Sequence, residues 1–235
     1  RTYAVYHTLS GQNSSFWDVD DTARYQVFTG IKHTVLKTDQ SVTETEGEIM
    51  TFKDKVIKAY FHSYSGGKTI SAKEIFGEAN NNYCLGRDEI FEREELLKEL
   101  NPKFSWIVEW KSPKTKNLVL LKKLKMEPSL QERFKSYNEL DEVALKVERD
   151  EKNFNSLNKL WIVQKDREEF ITYKEIRTLF GYGKIPSYWF NLLQPEKESF
   201  QFKGHGWGHH VGMSQWGAFI MANNYNYHYK DILEH

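Results

Sequence analysis

Cysteine and net charge are nearly absent from this chain of 235 residues. The one cysteine, Cys84, excludes an intramolecular disulfide and any zinc site built from several cysteines. Basic and acidic side chains number 33 each, so no excess of positive charge indicates a nucleic-acid-binding surface. The sequence contains no run of about eighteen apolar residues, so it predicts no membrane-spanning helix. What remains is a chain long enough to bury a sizeable core without disulfide support.

A stretch rich in glycine and histidine is the most distinctive part of the sequence. Residues 204–218 read GHGWGHHVGMSQWGA, which has too much glycine for a stable helix through its first half. We expect a tight loop over 205–212 that presents imidazoles and indoles. Ser214 is a suitable N-cap for a following helix that buries Trp216 and Phe219.

Three interpretations of the histidines in this loop stay open. His205, His209 and His210 have a spacing that metal ligands can have, but no glutamate lies between them as in a helical zinc-protease motif. They could instead be structural histidines, hydrogen-bonded within a glycine-rich turn. The third interpretation is a polar wall that binds a ligand.

A second polar cluster follows a predicted strand over 56–62. His62 and Ser63 are neighbours, but adjacent residues on a strand point to opposite faces, and no G-x-S-x-G elbow is present. Nucleophilic catalysis by Ser63 or Ser65 is therefore disfavoured. We expect these side chains to form a hydrogen-bonding wall beside the loop at His205.

Three ordered motifs resemble the SpoIID/LytB family, which comprises stage II sporulation protein D and amidase-enhancer proteins. Residues 204–218 are similar to the family pattern G-x-G-x-G-H-G-V-G-M-S-Q-x-G-A, with His210 in place of a glycine. Residues 1–4 match the end of the family's R-T-Y-A helix, and residues 60–69 match Y-H-S-x-S-G-G-x-T. The resemblance extends over nearly the whole chain.

The resemblance implies an α+β fold, with an antiparallel β-sheet core and flanking helices. We expect one SpoIID-like domain over 1–235, truncated at both ends, in which about 104–170 could form a subdomain. Some family members bind zinc through cysteines and histidines near the N-terminus. Asp20, Arg24 and Tyr25 stand at such positions here, so we expect no metal and no other cofactor.

The activity implied by the resemblance is that of a peptidoglycan lytic transglycosylase. Such an enzyme cleaves the β-1,4 bond between N-acetylmuramic acid and N-acetylglucosamine, commonly on strands stripped of stem peptides, and leaves 1,6-anhydro ends. The family's general-acid glutamate lies upstream of R-T-Y-A, so we expect it before Arg1. The residues expected to bind substrate are Gln26, His62, Ser63, Ser65, His205, Trp207, His209 and Gln215.

Two other functions stay open. The domain could be a non-catalytic cell-wall-binding module that enhances an N-acetylmuramoyl-L-alanine amidase, as described for LytB-type members. It could also be a metal-dependent hydrolase that uses the three loop histidines. The expected partners are glycan strands and an amidase or another cell-wall hydrolase, and the expected location, from the resemblance, is the cell envelope after export.

Local patterns predict the secondary structure. Runs of β-branched and aromatic residues favour strands over 31–36, 42–45, 49–52, 56–62, 104–110, 118–124, 143–147 and 200–203. Apolar spacing and capping residues favour helices over 91–100, 130–137 and 173–180, the last ending at Gly181.

Overall fold

The structure is a computed structural model that describes residues 1–11, 16–22, 25, 30, 35–92, 104–111, 113–141, 143–148, 159–196 and 199–235. These residues form two compact units, Arg1–Tyr60 and Phe61–His235. The domain limits expected from the sequence stay a prediction. No helix of the described part is long and apolar enough to cross a membrane.

The first unit contains helices α1 (Thr2–Ser10) and α2 (Leu36–Glu44) and a hairpin of strands β1 (Thr51–Phe52) and β2 (Lys55–Val56). The first two residues of the R-T-Y-A motif form side-chain hydrogen bonds to backbone groups. The Arg1 guanidinium donates to the carbonyl of Val42 over 2.9 Å, and the Thr2 hydroxyl accepts from the Met50 amide over 3.0 Å.

The strand predicted over 42–45 is wrong, because these residues end α2. Hydroxyls along this helix bond back to carbonyls one turn earlier, from Ser41 to Lys37 over 2.8 Å and from Thr43 to Asp39 over 3.0 Å. Side chains that favour strands by type are thus accommodated on an exposed helix. Of the strand predicted over 31–36, residues 31–34 lie outside the described residues, and Leu36 begins α2.

The second unit carries most of the regular structure. Its elements are β3 (Phe61–His62), α3 (Ala72–Phe76), β4 (Ser105–Lys111), α4 (Pro113–Met126), α5 (Gln131–Phe134), β5 (Ala144–Glu148), β6 (Lys159–Gln164), β7 (Arg167–Thr172), α6 (Tyr173–Phe180), β8 (Trp189–Glu196), β9 (Ser199–His205), β10 (Met213–Ser214), α7 (Gln215–Tyr225) and α8 (Tyr229–Glu234). Two antiparallel three-stranded sheets have the orders β4-β9-β8 and β5-β6-β7. The predicted α+β class is confirmed.

The larger core of this unit lies between the two sheets and helices α4 and α6. The strand predicted over 118–124 is wrong, since Leu120, Leu121 and Leu124 lie on one face of α4 and are fully buried in this core. Their spacing of one and four residues suits a helix and not the period of two that a half-buried strand requires. Strand β9 shares the core through Phe202 and leads directly into the glycine-rich loop.

Several other local predictions are confirmed. The strands expected over 104–110 and 143–147 are β4 and β5, and the helix expected over 173–180 is α6. That helix begins with a capping box, in which Thr172 and Glu175 bond to each other's amides, and it ends at Gly181. The helix expected over 91–100 falls mostly on 93–100, outside the described residues.

Candidate functional site

Two segments, 61–67 and 204–216, form one paired structure that we call the site segments. Strand β10 pairs in parallel with β3. Tyr64 and Trp207 exchange two backbone hydrogen bonds of 3.0 and 2.8 Å, and the Trp216 amide donates to the carbonyl of Ser63 over 3.1 Å. Seven expected site residues lie on these segments: His62, Ser63, Ser65, His205, Trp207, His209 and Gln215. Gln26 lies outside the described residues.

Two glycines of the loop occupy positions where a side chain has no room. A Cβ on Gly208 would lie 2.7 Å from the Cβ of His62, and one on Gly206 would lie 2.8 Å from Nε2 of His210. Both residues also have positive φ, of 121° and 92°, which disfavours any other amino acid. The glycines therefore let the loop backbone lie directly against β3 and against an imidazole.

The site residues divide by exposure. The side chains of His205, Gln215 and Trp207 are exposed, the last with 37% of its surface accessible. Ser63 and His209 are half-buried. His62 and Ser65 are buried, and the Ser65 hydroxyl donates to the carboxylate of Glu92.

His62 is a buried, neutral imidazole. Its Nδ1 lies 3.2 Å from the carbonyl of Val211 and donates to it, since a carbonyl only accepts. Nε2 is buried and has no hydrogen-bond partner. Burial, and secondarily the neighbouring His209, lowers the pKa of His62 to about 3.

The other two histidines of the cluster are held in the same neutral state. Nδ1 of His209 accepts from the Val211 amide over 3.1 Å, and burial followed by the charge of Arg177 lowers its pKa to about 4. His210 is fully buried, has positive φ and leaves both ring nitrogens without partners. Burial holds the pKa of His210 well below its usual range.

The expected helix after the loop is present, with one correction. Ser214 is the N-cap of α7, and its hydroxyl accepts from the Gly217 amide. Ile220 and Met221 enter a smaller core, against which Trp216 is partly buried. Phe219 was expected to be buried and is 47% exposed, because it lies at the margin of that core, where its ring meets Trp216 edge-on.

Arg177 is a buried residue that supports the glycine-rich loop and was not predicted from the sequence. Its Nε and Nη2 donate to the carbonyls of Ile185 and Pro186 over 2.7 and 2.6 Å. The Pro186 carbonyl also accepts from the Gly208 amide over 2.9 Å, so α6 supports the glycine-rich loop through this connection. A charged residue on the apolar face of a predicted helix was the signal that could have identified it.

Two carboxylates were also missed. Glu89 and Glu92 are buried under the N-terminus of α7, where a Cβ on Gly217 would lie 3.5 and 3.3 Å from their oxygens. Burial, with a further contribution from the charge of Glu92, raises the pKa of Glu89 to about 7. Their acidic sequence surroundings gave no signal, because a run of charges usually marks a solvated face.

The arrangement can bind polar groups. Across the residues that the structure describes, no group of three or more histidine, cysteine, aspartate or glutamate side chains is placed to hold a metal ion. The exposed part of the site instead offers an indole, an imidazole and an amide. Such groups bind sugars by stacking and by hydrogen bonds to hydroxyls.

Comparison with known proteins gives two findings. An uncharacterized protein of Brachyspira hyodysenteriae is 29% identical over 241 residues; the match covers 100% of this chain and 56% of that protein. The chain thus spans about half the length of this relative. The family model SpoIID, described as Stage II sporulation protein, matches residues 1–52, and this match confirms the suspected resemblance to the SpoIID family.

Proposed function

We propose that this chain is the glycan-binding part of a peptidoglycan lytic transglycosylase of the cell envelope. The observation that carries the proposal is that His205, Trp207 and Gln215 are exposed on the paired site segments. The match of residues 1–52 to the SpoIID family supports it, since that resemblance implies a role at the cell wall.

In this proposal the described residues bind and orient a glycan strand. The Trp207 indole stacks on the face of a sugar ring, while His205, Gln215 and Ser63 bond to hydroxyl and acetamido groups. His209 is neutral because of its lowered pKa, and its ring is held by the backbone of Val211 and Phe61, so it supports the wall without adding charge. His62 supports the wall from below, because its ring is buried.

In this proposal the chemistry is that of one glutamic acid, expected upstream of Arg1 by analogy with the family. This acid protonates the oxygen that leaves as the β-1,4 bond to N-acetylmuramic acid breaks. The resulting carboxylate removes the proton from the six-hydroxyl of the same muramic acid, which attacks the anomeric carbon. A 1,6-anhydro ring results, and the scheme uses no metal.

A second candidate is a non-catalytic wall-binding module that enhances an amidase. The observation that favours it is that Glu89 and Glu92, the carboxylates beside the site segments, are both buried and Glu92 is occupied by hydrogen bonds. Stacking and hydrogen-bonding groups such as Trp207 and Gln215 can bind glycan without cleaving it.

Mass spectrometry of products separates the two. Stripped glycan strands and whole sacculi are incubated with the full-length protein, and with a variant in which the upstream glutamate is glutamine. Release of 1,6-anhydro products by the unmodified protein alone supports the transglycosylase. Retention on the glycan without release by either, with faster hydrolysis by an added amidase, would reject the enzyme in favour of the module.

A matched pair of variants tests the binding surface itself. Trp207→Ala is expected to weaken glycan affinity by about tenfold, the loss of one stacking contact. Trp161→Ala, a half-buried tryptophan of β6, is expected to leave the affinity unchanged. Equal affinity in the two variants would contradict the assignment of the site.

A further inference from the structure

Glu92 lies where the two site segments and the start of α7 meet. It closes a short turn, in which its amide donates to the Glu89 carbonyl over 3.1 Å. The Glu89 amide in turn donates to the Gly67 carbonyl over 2.8 Å, which fixes this turn against 65–67. The adjacent Phe91 is buried in the smaller core with Tyr64 and Phe104. The backbone and the core thus fix the base of the Glu92 side chain.

The Glu92 carboxylate accepts hydrogen bonds from both site segments. Oε2 accepts from the Ser65 hydroxyl over 2.5 Å and from the Gly67 amide over 3.1 Å. Oε1 accepts from the Ser65 amide over 3.3 Å and from the Ser214 hydroxyl. One side chain, 4% exposed, therefore joins the turn after β3 to the N-cap of α7.

We propose that Glu92 is a positioning residue that fastens the two site segments to each other and so sets the spacing of the residues that bind substrate. Ser65 follows Ser63 by two residues, and Ser214 precedes Gln215 by one. A shift of the Ser65 or Ser214 hydroxyl is therefore expected to move Ser63 or Gln215, two of the residues proposed to bind substrate.

The chemistry of the four contacts requires a carboxylate. All four partners donate, and an ionised carboxylate has only acceptor sites, whereas a glutamine would turn an NH₂ group towards donors. The start of α7 also favours negative charge at this position.

Amide hydrogen exchange tests, without any substrate, whether Glu92 holds the two site segments together. Glu92→Gln is expected to speed amide exchange at Ser65, Gly67 and Gly217 by about tenfold or more, with α4 and β6 unchanged. Glu89→Gln is the matched control: it lies in the same buried turn, and within the described part of the chain no hydrogen bond from the site segments reaches its carboxylate. Unchanged exchange in Glu92→Gln, or an equal rise in both variants, would overturn the proposal.

Glycan affinity tests the consequence and rests on the proposed function. Glu92→Gln is expected to lower affinity for stripped strands by about tenfold or more, while Glu89→Gln retains it. Ser214→Ala removes one of the four contacts to Glu92 together with the N-cap bond to the Gly217 amide, and it is expected to show a smaller loss in the same direction. If the unmodified protein binds no glycan, the proposed function fails while the exchange result still decides the role of Glu92. Wild-type affinity in both Glu92→Gln and Ser214→Ala would overturn the positioning role.

Discussion

Acidification is the perturbation to which the buried histidine cluster should respond most strongly. Burial lowers the pKa of His62 to about 3 and that of His209 to about 4, and it holds the pKa of His210 well below 6.5. Below pH about 6.5 the unfolded chain therefore binds protons that the folded chain does not. Each such histidine lowers the free energy of unfolding by about 1.4 kcal/mol for each further unit of pH, until its folded pKa is reached.

Glu89 acts in the opposite direction. Its pKa is raised to about 7 from 4.5, so the folded chain holds a proton that the unfolded chain releases. Between these values its contribution to stability grows as the pH falls, by about 1.4 kcal/mol per unit. Among these four groups, three histidines against one glutamate contribute a net loss of roughly 3 kcal/mol per unit between pH about 6.5 and about 4.5. Over that window the loss is roughly 5 kcal/mol, comparable to the whole stability of a modest domain.

Urea unfolding at a series of pH values measures this slope. Tryptophan fluorescence reports on the second unit, which holds six of the seven tryptophans. His62→Gln is expected to make the slope shallower by about 1.4 kcal/mol per pH unit, and Glu89→Gln to make it steeper by about the same amount. A slope that neither variant changes would refute the buried, neutral state of His62 and the protonated state of Glu89.

Three further predictions concern single side chains. Gly208→Ala places a Cβ 2.7 Å from the Cβ of His62 at a φ of 121°. It should lower the free energy of unfolding, measured in urea, by about 2–4 kcal/mol. Gly67→Ala, where no atom lies within 4 Å of the added Cβ, should lower it by about 1 kcal/mol. Ile220→Ala should cost about 2–5 kcal/mol, whereas Phe219→Ala, which loses one edge-on contact with Trp216, should cost about 0.5–1.5 kcal/mol; equal losses would place Phe219 in the core. Arg177→Lys should lower stability by about 1–3 kcal/mol, because an ammonium cannot reproduce the planar fork that bonds to two carbonyls, and unchanged melting would refute that role.

Capping residues and glycines predicted the ends of helices most reliably. Thr172, Glu175 and Gly181 fixed both ends of α6, and Ser214 fixed the start of α7, because each position requires a particular hydrogen bond or backbone angle. Strand β4 was predictable because apolar residues alternate along it. The pairing of the two site segments agrees with the expectation that they adjoin.

Short apolar runs and isolated charges were not predictable in the same way. The run at Leu120, Leu121 and Leu124 suits a strand by composition but a helix by spacing, and its contact with the larger core shows that the spacing decides. Glu92 lies in a charged stretch, and its burial depends on Ser65 and Ser214, which are distant in sequence. Such contacts exist only in the folded chain, so no local pattern announces them.

The pairing of β3 with β10 has a consequence for the order of folding. His62 and Val211, which this pairing brings together, are 149 residues apart in sequence, and the larger core lies wholly between them. Closing so long a loop is slow unless the intervening chain is already compact, so the site segments should join after that core has formed. During synthesis, the wall of the candidate site therefore cannot assemble until the chain has left the ribosome as far as the second site segment, 204–216.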